Sequence, residues 1–209
     1  MLKILKFVRI PFVVFLFFLG ACSKDEAEVI DIGSGTQGPA FYFYGTLDDG
    51  TEISCEVGES SYLSSAEYNN SMNGNQSHVE QSLILSSPSL SISAGVSLSQ
   101  AFNATEENCN NFRSMFTQRN YGYGNIQNFT EGAAVFYVDE FGTYWATYQV
   151  GGSQPGGSFK ITSQRNGYYG SGFNGITEAE FECTLYDQVG NWKKLTNGRI
   201  RSYSVQCFN

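Results

Sequence analysis

The chain of 209 residues is short of several things from which chemistry is commonly built. It has one histidine, and its five cysteines never occur as a close pair, so a zinc site has little to draw on. Basic residues number 12 against 20 acidic ones, a formal charge of −8, which argues against a surface for nucleic-acid phosphates. Charged residues are only 15% of the chain, while hydrophobic residues reach 41% and aromatic residues 15%, which excludes a disordered chain. Proline is scarce (4) and glycine plentiful (23), a mixture that suits many strands joined by turns. No Gly-x-Ser-x-Gly nucleophile elbow occurs.

What is present begins at the N-terminus. Lys3, Lys6 and Arg9 precede the apolar run Ile10 to Leu19, which is followed by Gly20, Ala21 and Cys22. Ten apolar residues are too few for a membrane span of ~20 but suit the core of a secretory signal. The tetrad Leu19-Gly20-Ala21-Cys22 resembles the lipobox of bacterial lipoproteins. That resemblance implies a signal peptide over 1–21, cleavage before Cys22 and lipidation of Cys22. One acyl chain holds a protein only marginally, whereas two or three make attachment effectively permanent. Ser23-Lys24-Asp25-Glu26 is similar to the export signal of Bacteroidota lipoproteins, which implies display on the outer face of the outer membrane. A periplasm-facing lipoprotein is the alternative. Residues 22–40 hold four acidic residues, three Gly and a Pro without periodicity and read as a flexible tether. Removing the signal leaves 20 acidic against 9 basic residues, a charge of −11.

Residues 41–209 read as one all-β domain of about ten strands. Phe41 to Leu47, Asp48-Asp49-Gly50 and Thr51 to Val57 spell a hairpin, with Ile53, Cys55 and Val57 on one face and Glu52, Ser54 and Glu56 on the other. Residues 58–77 are Ser- and Asn-rich and read as a long loop. His78–Ser86 and Ser89–Leu98 form a second strand pair, with His78 at an exposed strand start. Asn103 and Glu106 have the form of a capping box, and Phe102, Cys109, Phe112 and Phe116 recur at helical spacing, predicting a helix over about 104–118. Strands follow at 133–138, 143–150, 157–162, 176–186 and from Trp192 onward, with turns at Asp139-Glu140-Phe141-Gly142 and Asp187-Gln188-Val189-Gly190-Asn191. Many short strands with one helix favour an antiparallel β-sandwich, with an up-and-down barrel as the alternative.

The segments FYFYGTLDDGTEISCEV, SQPGGSFKITSQ and FECTLYDQVGNWKKLTNGRI resemble small Bacteroidota lipoproteins of uncharacterised families. The resemblance covers about half of the mature chain. It implies a β-sandwich at the cell envelope and brings no catalytic residues with it.

With Cys22 lipidated, Cys55, Cys109, Cys183 and Cys207 remain, an even number that in an exported chain predicts two disulfides, with three possible pairings. All four lie on apolar faces. Glu178, Glu180 and Glu182 share one face of a strand, where carboxylates two residues apart lie ~7 Å from each other. That overlaps the spacing of inverting glycosidases, but Lys193, Lys194, Arg199 and Arg201 on the next strand are neutralising neighbours, so a solvated face is the simpler reading. Asp48, Asp49, Asp139 and Glu140 are turn residues before they are calcium ligands. Gly170-Ser171-Gly172-Phe173-Asn174-Gly175 matches a dinucleotide-binding pattern in letters, yet it runs into a strand instead of a helix and reads as turn glycines. No cofactor or metal is expected. The functional hint is aromatic: Tyr121, Tyr123, Tyr168 and Tyr169 sit in Gly-rich segments and are candidates for stacking on a sugar or filling a partner's pocket, or they fold back onto the sheet. The function this predicts is a lipid-anchored, non-enzymatic binding or structural domain for a glycan or an envelope protein. A carboxylate-based glycoside hydrolase is the alternative from another class.

Overall fold

The opening hairpin shows how the alternating pattern becomes sheet. In the computed structural model, which describes residues 41–57, 63–87, 92–103, 114–150, 152–169 and 172–208, β1 (Tyr42–Leu47) and β2 (Glu52–Glu56) pair antiparallel from Tyr42↔Glu56 to Thr46↔Glu52. The side chains of residues 63, 68, 126, 166–169, 172–174 and 205–208 lie outside that description. Phe43, Leu47, Ile53 and Cys55 are buried, and Glu52 and Ser54 between them are exposed. Period-two alternation thus puts one face in the core and one in water.

The remaining strands are β3 (Leu63–Asn73), β4 (Gln76–Ser86), β5 (Ser93–Asn103), β6 (Asn120–Tyr121), β7 (Gly132–Val138), β8 (Tyr144–Ala146), β9 (Ser158–Tyr169), β10 (Gly172–Tyr186) and β11 (Trp192–Phe208). They join in one antiparallel sheet in the order β2-β1-β11-β10-β8-β7-β5-β4-β3, with β9 also on β10 and β6 on β9. The all-β class is therefore what the sequence pattern predicted. The junction of β8 with β10 is a single residue pair, Tyr186↔Ala146. The sheet curls until its β3 end returns to β11: the Ser64 and Ser202 hydroxyls are 2.9 Å apart, and the Tyr203 amide donates to Ser64 Oγ at 3.4 Å. That contact falls just past Arg201, the last residue of β11 that pairs with β1.

Inside the curl lies one apolar cluster. Phe159 stacks on Phe181 at 5.8 Å, and Phe43 leans on Phe181 at 5.5 Å. Leu83, Leu85, Val96, Leu98, Val135, Ile161, Leu195 and Ile200 are buried around them. Each such side chain contributes about 1.5–3 kcal/mol by leaving water.

Three hairpins share one turn. Leu47, Asp139 and Asp187 each donate an amide to the residue four positions on (Thr51, Thr143 and Asn191, at 2.9, 3.1 and 3.0 Å) and accept one from the glycine three positions on. Those glycines, Gly50, Gly142 and Gly190, have φ of +85°, +80° and +93°, where a Cβ is strained. In the latter two turns the Asp carboxylate takes the amides two and four residues on, at 2.8–3.0 Å. The Asp-Gly spacing seen in the sequence is the chemistry of this turn.

Several expectations need correction. The predicted loop over 58–77 is mostly strand: β3 pairs with β4 along its whole length, from Leu63↔Ser86 to Asn73↔Gln76. It is an edge strand, where polar side chains on the open face suit water and discourage pairing with other chains. The strand predicted over 143–150 is only Tyr144–Ala146 and then turns. The predicted helix falls largely on 104–113, outside the described residues; of its expected apolar face, Phe116 is buried and Phe102 belongs to β5 instead. His78 is not exposed but 4% accessible, edge-on to Phe129 at 5.3 Å.

The two predicted disulfides do not fit the topology. Cys55 and Cys183 are buried thiols. Three strand spacings separate β2 from β10, ~14 Å across the sheet, against the ~7 Å at which two cysteines can bridge. Cys207 pairs with Phe173, ten residues along β10 from Cys183, hence ~33 Å away. Cys55 aligns through Phe43 with Ile200, seven residues short of Cys207, hence ~23 Å away. No two of these three can join, so within one chain at most one bridge can form, through Cys109, which lies outside the described residues.

Candidate functional site

The carboxylates singled out on β10 stand on the outer face of the sheet and are taken up by β11. Register sets Glu178 opposite Arg201 and Glu180 opposite Arg199, with carboxylate–guanidinium distances of 3.5 and 3.7 Å. On the far side of β11, Tyr42 and Tyr44 of β1 align with the same two arginines and stack on each other at 4.7 Å. The Tyr44 hydroxyl donates to Glu56 at 2.6 Å. Partial burial, followed by the nearby Glu178, raises the Tyr42 phenol above its usual range. Glu180, Glu182 and Arg199 are exposed, so this is a solvated ladder of acid, arginine and tyrosine rows. Its one half-buried carboxyl, Glu178, is paired with the Arg201 guanidinium and the other two stand in water, so none is an isolated acid in an apolar pocket.

The candidate tyrosines separate. Tyr123 is turned inward: its hydroxyl proton is shared between the carbonyls of Ser158 (2.9 Å) and Glu182 (2.8 Å), and its ring meets Phe159 edge-on. Burial, and then the neighbouring Cys183, push its phenol far above the usual range. The Cys183 thiol is likewise raised by burial, so it is held as an inert thiol. Tyr123 is thus a structural pin between β9 and β10, and its expected role as an open stacking platform is withdrawn. Tyr168 and Tyr169 lie on β9, but their side chains are outside the described residues.

Tyr121 is half-buried and sits on the rim of a cavity of about 260 Å³. Its hydroxyl donates to the carbonyls of Met115 (2.7 Å) and Thr117 (2.9 Å), which closes the segment 115–121 on itself. The Arg119 guanidinium lies over its ring at 4.7 Å, a cation–π contact that steadies a long side chain. The carbonyl of Arg119 accepts the amide of Ile161 at 3.1 Å. Opposite stands the end of β5. β7 begins at Gly132↔Ser99, and beyond that point the Ala101 amide is taken by the Glu131 carboxylate at 3.0 Å. Ser99 is 5% exposed, and its hydroxyl has no partner. Ser99, Arg119, Tyr121 and Glu131, with Leu98 and Met115 beneath, line one hollow. Sequence reasoning found only Tyr121 of this set, because the others come from β5 and two separate loops and carry no common motif.

Among the described residues no group of three metal-ligating side chains converges, and no helix is long and apolar enough to cross a membrane. No protein-family model, no curated protein and no solved structure matches the chain.

Proposed function

We propose that the protein is a lipid-anchored, surface-displayed domain of a bacterial outer membrane that binds a ligand or envelope partner and catalyses no reaction. The observation that carries the binding half of this reading is the braced cavity beside Tyr121, whose walls are held by the Tyr121 hydroxyl on the Met115 carbonyl on one side and by the Ala101 amide on the Glu131 carboxylate on the other. The arginine pairing of Glu178 and Glu180 on an open face favours it over a glycoside hydrolase. The anchoring half rests on the Leu19–Cys22 tetrad and the acidic tether that follows. We read the domain as a sandwich and not a closed barrel, since serine side chains instead of a backbone ladder bridge β3 to β11.

Labelling with a radioactive fatty acid tests the anchor. Wild type incorporates label and fractionates with the outer membrane, and Cys22→Ala loses both; a variant that stays labelled sinks the lipidation site. Protease treatment of intact cells tests display. Digestion supports the outward orientation, and protection until the outer membrane is opened would give a periplasm-facing protein instead.

A further inference from the structure

We infer that the cavity beside Tyr121 is a binding site for one neutral sugar ring, either free or at the end of a glycan. The inference rests on the reading of the domain as a binding module and names the ligand class of that site. Size comes first: about 260 Å³ is below the range of drug-sized pockets and suits a single small ring.

Charge comes second. Arg119 and Glu131 line the same hollow and carry opposite signs. An anion would meet Arg119 but face Glu131, and a cation would meet Glu131 but face Arg119. Both charges are already partly engaged, the carboxylate by the Ala101 amide and the guanidinium by the Tyr121 ring. What each has left is hydrogen-bonding capacity: an acceptor on Glu131 and donors on Arg119. Ser99 adds a hydroxyl, able to donate and accept, that is buried without a partner. A buried polar group left unpaired costs ~1–3 kcal/mol, so a ligand that satisfies it recovers that cost. Vicinal hydroxyls, each donor and acceptor at once, match this mixed set.

The floor comes third. Met115 is 1% and Leu98 2% exposed, so they close the base of the hollow and leave its accessible lining mainly polar, as suits a ligand rich in hydroxyls. The walls are preformed: Tyr121 ties down Met115 and Thr117, Ile161 holds the Arg119 carbonyl, and the Ala133 amide donates to the Gly122 carbonyl at 2.7 Å. Little ordering is left for a ligand to impose, which favours affinity from a small contact area.

The test is calorimetric titration of the full chain in an amine-oxide detergent, since a sugar-headed detergent would compete. The probes are the methyl glycosides of glucose, galactose, mannose and N-acetylglucosamine, with alanine as a zwitterion and acetate as an anion. We expect at least one glycoside to bind with a Kd of about 1 mM or tighter. Ser99→Ala and Glu131→Gln should each weaken it at least fivefold. Glutamine still offers an oxygen to the Ala101 amide, so Glu131→Gln keeps the fold, and an unchanged Tm verifies it. Chemical-shift changes at the Gly122 and Gly132 amides on adding the glycoside locate the site even where a variant fails to fold. A disaccharide ending in the same ring that binds more tightly identifies a glycan end as the source; equal affinity identifies the free sugar. Silence from every glycoside in folded protein overturns the inference, as does binding of alanine or acetate in their place, or glycoside binding that both variants leave intact. None of these failures touches the anchor, which the Cys22→Ala fractionation tests separately.

Discussion

Strand β10 has two faces that alternate residue by residue, and they have little in common energetically. Ala179, Phe181, Cys183 and Leu185 point into the core, each at most 2% exposed. Glu178, Glu180 and Glu182 point out, the first two against arginines of β11. The inner face is close-packed: a Cβ added to Gly198 would come within 2.3 Å of the Phe181 ring, so the glycine exists to let the ring lie flat on β11. The outer face is held by ion pairs, of which Glu180–Arg199 is open to water and salt. The same backbone therefore carries the stability on one side and leaves the other free to change.

Four substitutions test this contrast. The largest effect belongs to Phe181→Ala, which opens the centre of the aromatic stack and should cost about 3–5 kcal/mol in urea unfolding. A cost below about 1 kcal/mol would mean that the core is not where the inner face lies. Gly198→Ala should follow at about 1–3 kcal/mol, as the new methyl meets both the Phe181 ring and the Phe181 main-chain carbonyl, at 2.3 and 2.7 Å. Tyr123→Phe removes the proton shared by two strand carbonyls and should cost about 1 kcal/mol with no change in ligand affinity; a loss of affinity would return Tyr123 to the binding site. Outer-face Glu180→Gln should change stability by less than about 0.5 kcal/mol, since the pair with Arg199 is exposed.

The turns add a dependence on acid. Burial tends to raise the Asp139 carboxyl, but hydrogen bonds from the Trp145 indole and the Thr143 and Phe141 amides outweigh it and hold the group below the ordinary carboxylate range. A lowered folded-state value contributes stability above the unfolded value, near 4, and loses it as pH falls through the folded one. The stability gap between wild type and Asp139→Asn should therefore be constant from pH 7 to about pH 5 and shrink below about pH 4. A gap that widens in acid would reverse the sign of this assignment.

Local patterns in the sequence carried the parts of the fold that local physics decides. Alternation placed Ile53 and Cys55 inward and Glu52 and Ser54 outward, and the Asp-x-x-Gly spacing marked the turns at 139 and 187. β3 escaped because an edge strand with one open face can be built from serine and asparagine, which read as loop. The cysteines misled because inward-facing is a local property and proximity is not: only the strand order separates Cys55 from Cys183 and sends Cys207 to the far end of β10. The cavity was illegible for the same reason. Glu131 meets β5 only because β7 starts one residue after it, so Ser99, Arg119 and Glu131 become neighbours through topology and not through spacing.

The pairing of β1 with β11 sets the order of events in biogenesis. Tyr42 finds Arg201, and Leu47 finds Leu195, across roughly 150 residues of intervening chain. The opening hairpin cannot join the sheet until the ribosome has passed residue 201, so the N-terminal strands must wait while everything between them and β11 is made. Until then the sheet lacks the strand that lies between β1 and β10, and the last long strand acts as the clasp that completes the domain.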